Sequence, residues 1–209
     1  VEHGHLIHWS HMLAVHPEYR NHGIGRRLKE YQRDVLVRLG VEWMYWTFDP
    51  LVARNAHLNL TRLGARVREY VPDMYGDTGS ELHSFGTDRF VVSWPVAARR
   101  APASSDGAAV RRAARSAPVV NRAPGEDREG GVAVEDASTV RIRVPSDVEA
   151  MQVGDLKCAR AWRASTREAF VRYLKDGYSV SGFYCEGFDR CYYVLARPRN
   201  GGKMEASGD

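Results

Sequence analysis

The 209-residue chain is 44% hydrophobic with a formal net charge of +4, enough apolar material for one core and a small annex. The positive balance is nearly all arginine, with lysine only at Lys29, Lys157, Lys175 and Lys203; acids interleave with it, which disfavours a nucleic-acid footprint. No run approaches the roughly 20 apolar residues of a membrane span and no signal peptide is visible, so the expected location is the cytoplasm.

Residues 1–15 read as the tail of a strand, ending in the apolar Met12-Leu13-Ala14-Val15 before Pro17. His3, His5, His8 and His11 fall in this segment. A strand would place His8 and His11 on opposite faces and leave His3 and His5 without a third ligand, so a polar strand end is preferred over zinc and no metal is expected.

Val15-His16-Pro17-Glu18-Tyr19-Arg20-Asn21-His22-Gly23-Ile24-Gly25 follows. Gly23 and Gly25 allow close approach of a ligand, free amides and the positive helix end attract a pyrophosphate, and Arg20 adds a charge at the rim. No Lys-Ser or Lys-Thr follows, which excludes a Walker loop, and Leu28 stands where a dinucleotide fingerprint needs its third glycine. The helix behind should span about 23–39, with Ile24, Leu28, Tyr31, Val35, Leu36 and Leu39 as its apolar stripe and Gly40 as its stop.

Residues 41–48 are aromatic and β-branched, as in a strand, and strand–helix–strand order predicts a parallel pair. A second helix should run from about Val52 to Leu63, with Val52, Ala56, Leu60 and Leu63 buried and Asn55 and Asn59 on another face. Strands are expected at Arg66–Val71 and Arg89–Val96. The intervening 72–87 is either a pocket wall or an excursion.

Residues 97–137 have no aromatic and are dominated by Ala, Arg, Pro, Ser and Gly. Such a segment buries too little apolar area to offset its ordering entropy and is expected to be a disordered linker or insertion. Its arginine-rich first half has no aromatic interleaving, which disfavours nucleic acid. A strand should begin at Thr139, and Ser146 to Glu149 fits a capping box. A longer helix should bury Leu156, Ala159, Trp162, Thr166, Ala169, Phe170 and Tyr173, and a hairpin of Tyr178–Tyr184 and Arg190–Leu195 should follow. Arg163 and Arg167, one turn apart, read as a solvated edge in preference to an anion clamp. Cys185 and Cys191 flank the hairpin turn and could meet across it, but reduced thiols are the preferred reading for Cys158, Cys185 and Cys191. Residues 198–209 read as a flexible tail.

Arg20-x-x-Gly23-x-Gly25 after a strand, led in by Val15-x-Pro17-x-Tyr19, resembles the coenzyme-A pyrophosphate loop of GNAT acyltransferases. Asn55-Ala-His-Leu-Asn-Leu-Thr-Arg-Leu-Gly64 resembles the family's helix ending at a glycine, and the Thr47-Phe-Asp-Pro-Leu51 and Trp162-Arg-x-x-Thr-Arg167 stretches resemble an uncharacterised bacterial branch. The resemblance covers roughly residues 6–95 and implies an α/β (α+β) fold with a mixed central sheet flanked by helices. It corresponds to the second half of the family's fold, so an N-terminally incomplete domain is expected, with an exposed sheet edge and an uncovered apolar face. The expected organisation is a coenzyme-A-binding core over 1–96, the linker over 97–137 and a unit packing on the core over 138–197.

The resemblance further implies an N-acyltransferase, acetyl most simply, moving the acyl group of an acyl-CoA to a small amine by direct attack. Leu13, Ala14 and Val15 would meet the pantetheine arm. Asn21, His22, Gly23, Ile24, Gly25 and Arg26, with the Arg20 side chain, would hold the pyrophosphate, and Asn55 would contact the arm or thioester. Where many members carry a tyrosine acid, this chain has Leu60, with Tyr75 or Tyr70 as substitutes. Ser10, His11 and Asp49 are the candidate bases. The alternative is a non-catalytic coenzyme-A-binding or regulatory protein, and a homodimer is left open.

Overall fold

The structure is a computed structural model and describes residues 4–76, 84–96, 107–125, 137–187 and 190–197. Among the described residues, two sheets are formed. The first has the order β1-β2-β4-β3 and the second β5-β7-β6. In the first, β1 (Ile7–Trp9) runs parallel to β2 (Trp43–Phe48), while β4 (Arg89–Pro95) is antiparallel to both β2 and β3 (Arg66–Val71). The expected parallel pair is present. The helix connecting it is α1 (Ile24–Arg38), with a short 3₁₀ turn over Pro17–Tyr19 ahead of it.

β1 is shorter than the strand expected over residues 1–15. Its pairing ends where the Ser10 amide donates to the Tyr45 carbonyl at 2.8 Å. Residues 11–16 then leave the ladder without regular structure, and Met12 is 86% exposed. The apolar run Met12–Val15 is thus not a buried strand. Leu13 and Val15 instead lie against the first turn of α1.

The register of α1 also departs from expectation. Leu28 and Tyr31 are 43% and 69% exposed, Leu39 is exposed too, and the buried positions are Lys29 and Leu36. The cause lies at Gly25, where an added Cβ would stand 3.5 Å from Leu58 and within 4 Å of Leu13 and Val15. Seating the helix on that bare position turns residues 29, 32 and 36, which share its face at helical spacing, toward the sheet.

α2 (Ala53–Ala56) continues as a π-helical stretch over His57–Arg62. Its face carries Ala56 and Leu60 into the core. Asn59, expected on another face, is also buried and accepts from the Trp46 indole at 3.2 Å.

Beyond residue 96, a segment expected to lack order contains α3 (Gly107–Ala114) and the buried Val120. Its helix has no aromatic of its own, but Ala114 packs among Tyr184, Tyr192 and Val194. The contact is close at β6, where a Cβ on Gly182 would stand 2.7 Å from Val110. The neighbouring sheet supplies the apolar area that the segment lacks. Residues 97–106 and 126–136 lie outside the described residues.

The second sheet joins β5 (Thr139–Pro145), β6 (Ser179–Glu186) and β7 (Arg190–Ala196) in antiparallel register. Between β5 and β6 run α4 (Val148–Gly154) and α5 (Leu156–Lys175). Asp147, not Ser146, caps α4 by accepting from the Ala150 amide at 3.0 Å, and Asp155 caps α5 through Cys158 at 2.9 Å. α5 buries Ala159, Trp162, Thr166, Ala169, Phe170 and Tyr173 as its spacing predicts, and Arg163 as well. Phe170 meets Phe90 and Tyr193 with ring centroids 4.9 and 5.3 Å away, so one continuous core crosses from the first sheet to the second.

Cys185 and Cys191 sit opposite each other in the hairpin register and form a disulfide, which corrects the expectation of reduced thiols for that pair. Cys158 is free. Among the described residues, no helix is long and apolar enough to cross a membrane.

Candidate functional site

Gly23 has φ 72°, a left-handed conformation that suits glycine, and no side chain caps the α1 N-terminus. The first turn of α1 contains no acidic residue. The opening amides of a helix have no intrahelical acceptor, and here they meet a positive helix end undiluted by a carboxylate. Asn21 also has positive φ (65°), so left-handed residues flank His22 on both sides. A Cβ at Gly23 would meet nothing within 4 Å, which leaves the approach to the helix end open.

Arg20 is exposed at this loop and its Nε donates to the Val15 carbonyl at 3.2 Å. That bond ties the rim arginine to the segment leaving β1. Arg26 is drawn along the helix instead, pairing with Glu30 at 2.9 Å. His22 is exposed. Uncapped amides, positive charge at the rim and open space suit a pyrophosphate, and they suit the coenzyme A expected here. Asn55 is half-buried on α2, and its amide donates to the Val52 carbonyl at 2.9 Å.

The candidate acid and base residues do not converge. His11 is exposed on the irregular segment. Ser10 is buried and turned toward α1, where its Oγ donates to Gln32 Oε1 at 3.0 Å and accepts from Lys29 Nζ at 2.8 Å. Tyr75 leans on β2, its hydroxyl 3.3 Å from Thr47 Oγ1, with the Arg89 guanidinium over its ring. Asp49 is committed elsewhere. It receives Arg163 at 2.5 Å and the Leu51 amide at 2.8 Å, and Arg89 stands 3.6 Å away.

In place of the solvated edge expected at Arg163 and Arg167, the structure sets both against carboxylates. Arg167 holds Asp88 at 2.5 Å and Asp73 at 2.6 Å. Asp88 is fully buried and also accepts from the Tyr70 hydroxyl and the Asp73 amide. Burial alone would raise the Asp88 carboxyl, but hydrogen bonds from Arg167, the Asp73 amide and Tyr70, with Arg163 nearby, hold it below the usual carboxylate value. Burial, and then the Asp88 charge, push the Tyr70 hydroxyl far above its ordinary value, so Tyr70 does not serve as an acid near neutrality. The clamp is filled by the chain's own carboxylates, which are distant in sequence and gave no local signal.

Lys29 is the residue that sequence reading passed over. It is 4% exposed and its Nζ lies 4.1 Å above the Trp46 ring. Burial lowers its amine from 10.5 to about 8. The available signal was its spacing from Gly25 and Leu36, which puts it on the inner face once Gly25 is taken as the contact point.

His5 pairs with Glu42 at 2.8 Å and His8 lies 3.0 Å from Gln32, while His3 is outside the described residues. Among the described residues, no group of three or more His, Cys, Asp and Glu could hold a metal.

A search of curated proteins found no match to the chain. Residues 2–64 match the model of the Acetyltransferase (GNAT) family. That span contains β1, the glycine loop, α1, β2 and α2. With the mixed sheet and flanking helices around it, the chain is consistent with a member of the GNAT superfamily, which supports an acetyltransferase-type function.

Proposed function

We propose that the protein is an acyl-CoA-dependent N-acyltransferase, transferring an acetyl or related acyl group to a small amine by direct attack on the thioester. The observation that carries this reading is the uncapped, acid-free N-terminus of α1 behind the left-handed Gly23, within the stretch that matches the family. The amides of Asn21 to Arg26 and the Arg20 side chain would take the pyrophosphate. Leu13, Ala14 and Val15, released from the ladder after Ser10, would run beside the pantetheine arm, with Asn55 near its end. The amine must lose a proton and the departing thiolate must be stabilised. Asp49, in its contacts with Arg163 and Arg89, is a poor base, which leaves Ser10 and His11 on the side where β1 and β2 part.

A second reading, a coenzyme-A-binding module without catalysis, is favoured by Leu60. It is 5% exposed and supplies no acid where the family often has a tyrosine. Release of free thiol from acetyl-CoA, followed with a panel of primary amines, separates the two. An enzyme releases thiol in an amine-dependent way, whereas a binder retains affinity and releases none.

A further inference from the structure

A lysine buried under a helix without a carboxylate partner is costly, because its charged form gives up water and receives little in return. Lys29 is such a lysine. Its neighbours are the Ser10 hydroxyl at 2.8 Å and the face of Trp46 at 4.1 Å. Among the described residues, the surrounding groups offer no compensating anion. On α1, Gln32 bonds Ser10, and Arg33 lies over Trp94. On β1, His8 reaches the cluster through Gln32, and on the π-helical stretch after α2, Asn59 accepts from the Trp46 indole. Burial is the sole cause of the shift to about 8, so an appreciable fraction of Lys29 is neutral in mildly alkaline solution.

The position is as informative as the chemistry. Ser10, directly after β1, makes the last bond of that segment to β2, so the Lys29–Ser10 pair stands where the two strands part. Lys29 lies four residues beyond Gly25, one turn into the helix whose N-terminus is the candidate pyrophosphate site.

We propose that Lys29 and Ser10 form a proton-accepting pair for the acceptor amine, with Ser10 Oγ touching the amine and Lys29 acting through it. This rests on the acyl-transfer reading above. In the step, the amine lone pair forms the C–N bond to the thioester carbonyl carbon, and the C–S bond breaks with its electron pair leaving on sulfur. Before that attack the acceptor's ammonium gives one proton to Ser10 Oγ as the hydroxyl, turned from Gln32 Oε1, passes its own to neutral Lys29 Nζ; the second proton leaves nitrogen for the departing thiolate, and solvent then returns Lys29 to its neutral form. Such a relay needs a neutral lysine, which the burial supplies.

The test uses the full chain. Lysine side-chain NMR resolves four lysines, and Lys29→Met assigns the one of interest. The titration midpoint of Lys29 should fall near 8, move when Ser10→Ala removes its hydrogen-bond partner, and respond to acetyl-CoA. A midpoint near the ordinary 10.5, or one indifferent to Ser10→Ala, overturns the pairing. Turnover of acetyl-CoA is then compared with methylamine, largely protonated at neutrality, and hydroxylamine, already neutral there. Lys29→Met should lose at least about tenfold in rate with methylamine, together with the inflection near pH 8, while keeping most of the rate with hydroxylamine. Equal losses with both amines would mean that Lys29 only supports the structure, and would overturn the relay. Calorimetry with coenzyme A separates the two layers. A folded parent that binds no coenzyme A sinks the acyl-transfer reading and the relay with it. Binding with an ordinary Lys29 midpoint sinks the relay alone.

Discussion

The Asp49 carboxylate, at the end of β2, lies 2.5 Å from the guanidinium of Arg163 on α5. Arg163 is buried, and its Nε also donates to the Phe85 carbonyl at 3.2 Å. One turn along, Arg167 gathers Asp73 and Asp88, so two arginines on one helix bind three acidic residues of the first sheet and its loops. A buried pair contributes little net stability when intact, but losing one partner strands the other. Arg163→Met is therefore expected to destabilise by about 3–5 kcal/mol in urea unfolding, despite conserving bulk. If Asp49 were instead a working base, Asp49→Asn would abolish turnover in a folded protein. The expectation is a stability loss with activity retained by the folded fraction.

Acid stability should report Asp88. Its folded carboxyl sits below the ordinary value of 3.8, so the unfolded chain takes up the proton first as pH falls. The contribution is complete above about pH 4 and is lost as pH falls through the lower, folded value. Thermal melts from pH 6 to pH 2 should show a steeper decline in the parent than in Asp88→Asn. Parallel curves would contradict the assignment.

Lys29 should act in the opposite pH range. Its amine is lowered on folding from 10.5 to about 8, so between those values the unfolded chain binds more protons and stability rises with pH. Below about pH 8 the full penalty of burying the ammonium is present, roughly 3 kcal/mol for such a shift. Lys29→Met is accordingly expected to be more stable than the parent at pH 7 by about 1–3 kcal/mol, with the gain vanishing toward pH 10.5. A buried residue that weakens the fold at neutral pH fits a functional role.

The Cys185–Cys191 bridge closes a short loop, with a sequence separation of 6. Chain-entropy reasoning assigns such a loop about 2 kcal/mol. Reduction, or Cys185→Ala with Cys191→Ala, should lower the melting temperature by several degrees without dispersing the core. Thiol counting under denaturing, non-reducing conditions should find only Cys158 reactive. Three reactive thiols would show that the pair is open in solution.

Much of the fold was readable because its signals are local. β2, β3 and β4 follow alternating or aromatic runs, and α5 follows the spacing of Ala159, Trp162, Thr166, Phe170 and Tyr173. The misses are cases where a distant partner decides. Met12–Val15 has strand composition, but β2 offers it no pairing beyond Ser10. The inner face of α1 was misassigned because Gly25, lacking a side chain, carries no hydrophobic signal although it sets the contact. α3 looked disordered because its apolar complement comes from Tyr184, Tyr192 and Val194, some seventy to eighty residues later. The glycine loop was legible because it is contiguous. Lys29, Ser10 and Gln32 were not read together because they meet only after α1 folds over β1.

The glycine loop as a pyrophosphate site is tested by calorimetric titration with coenzyme A of the parent, Gly25→Glu and Arg20→Glu. Arg20 is exposed, so Arg20→Glu should fold, whereas a side chain at Gly25 points at Leu58, Leu13 and Val15, so circular dichroism must show Gly25→Glu folded before its binding is compared. The parent should bind, Arg20→Glu should bind more weakly and Gly25→Glu least, with acetyl-CoA following the same order. A folded parent that takes up no coenzyme A, or variants that bind as the parent does, would contradict that role of the loop.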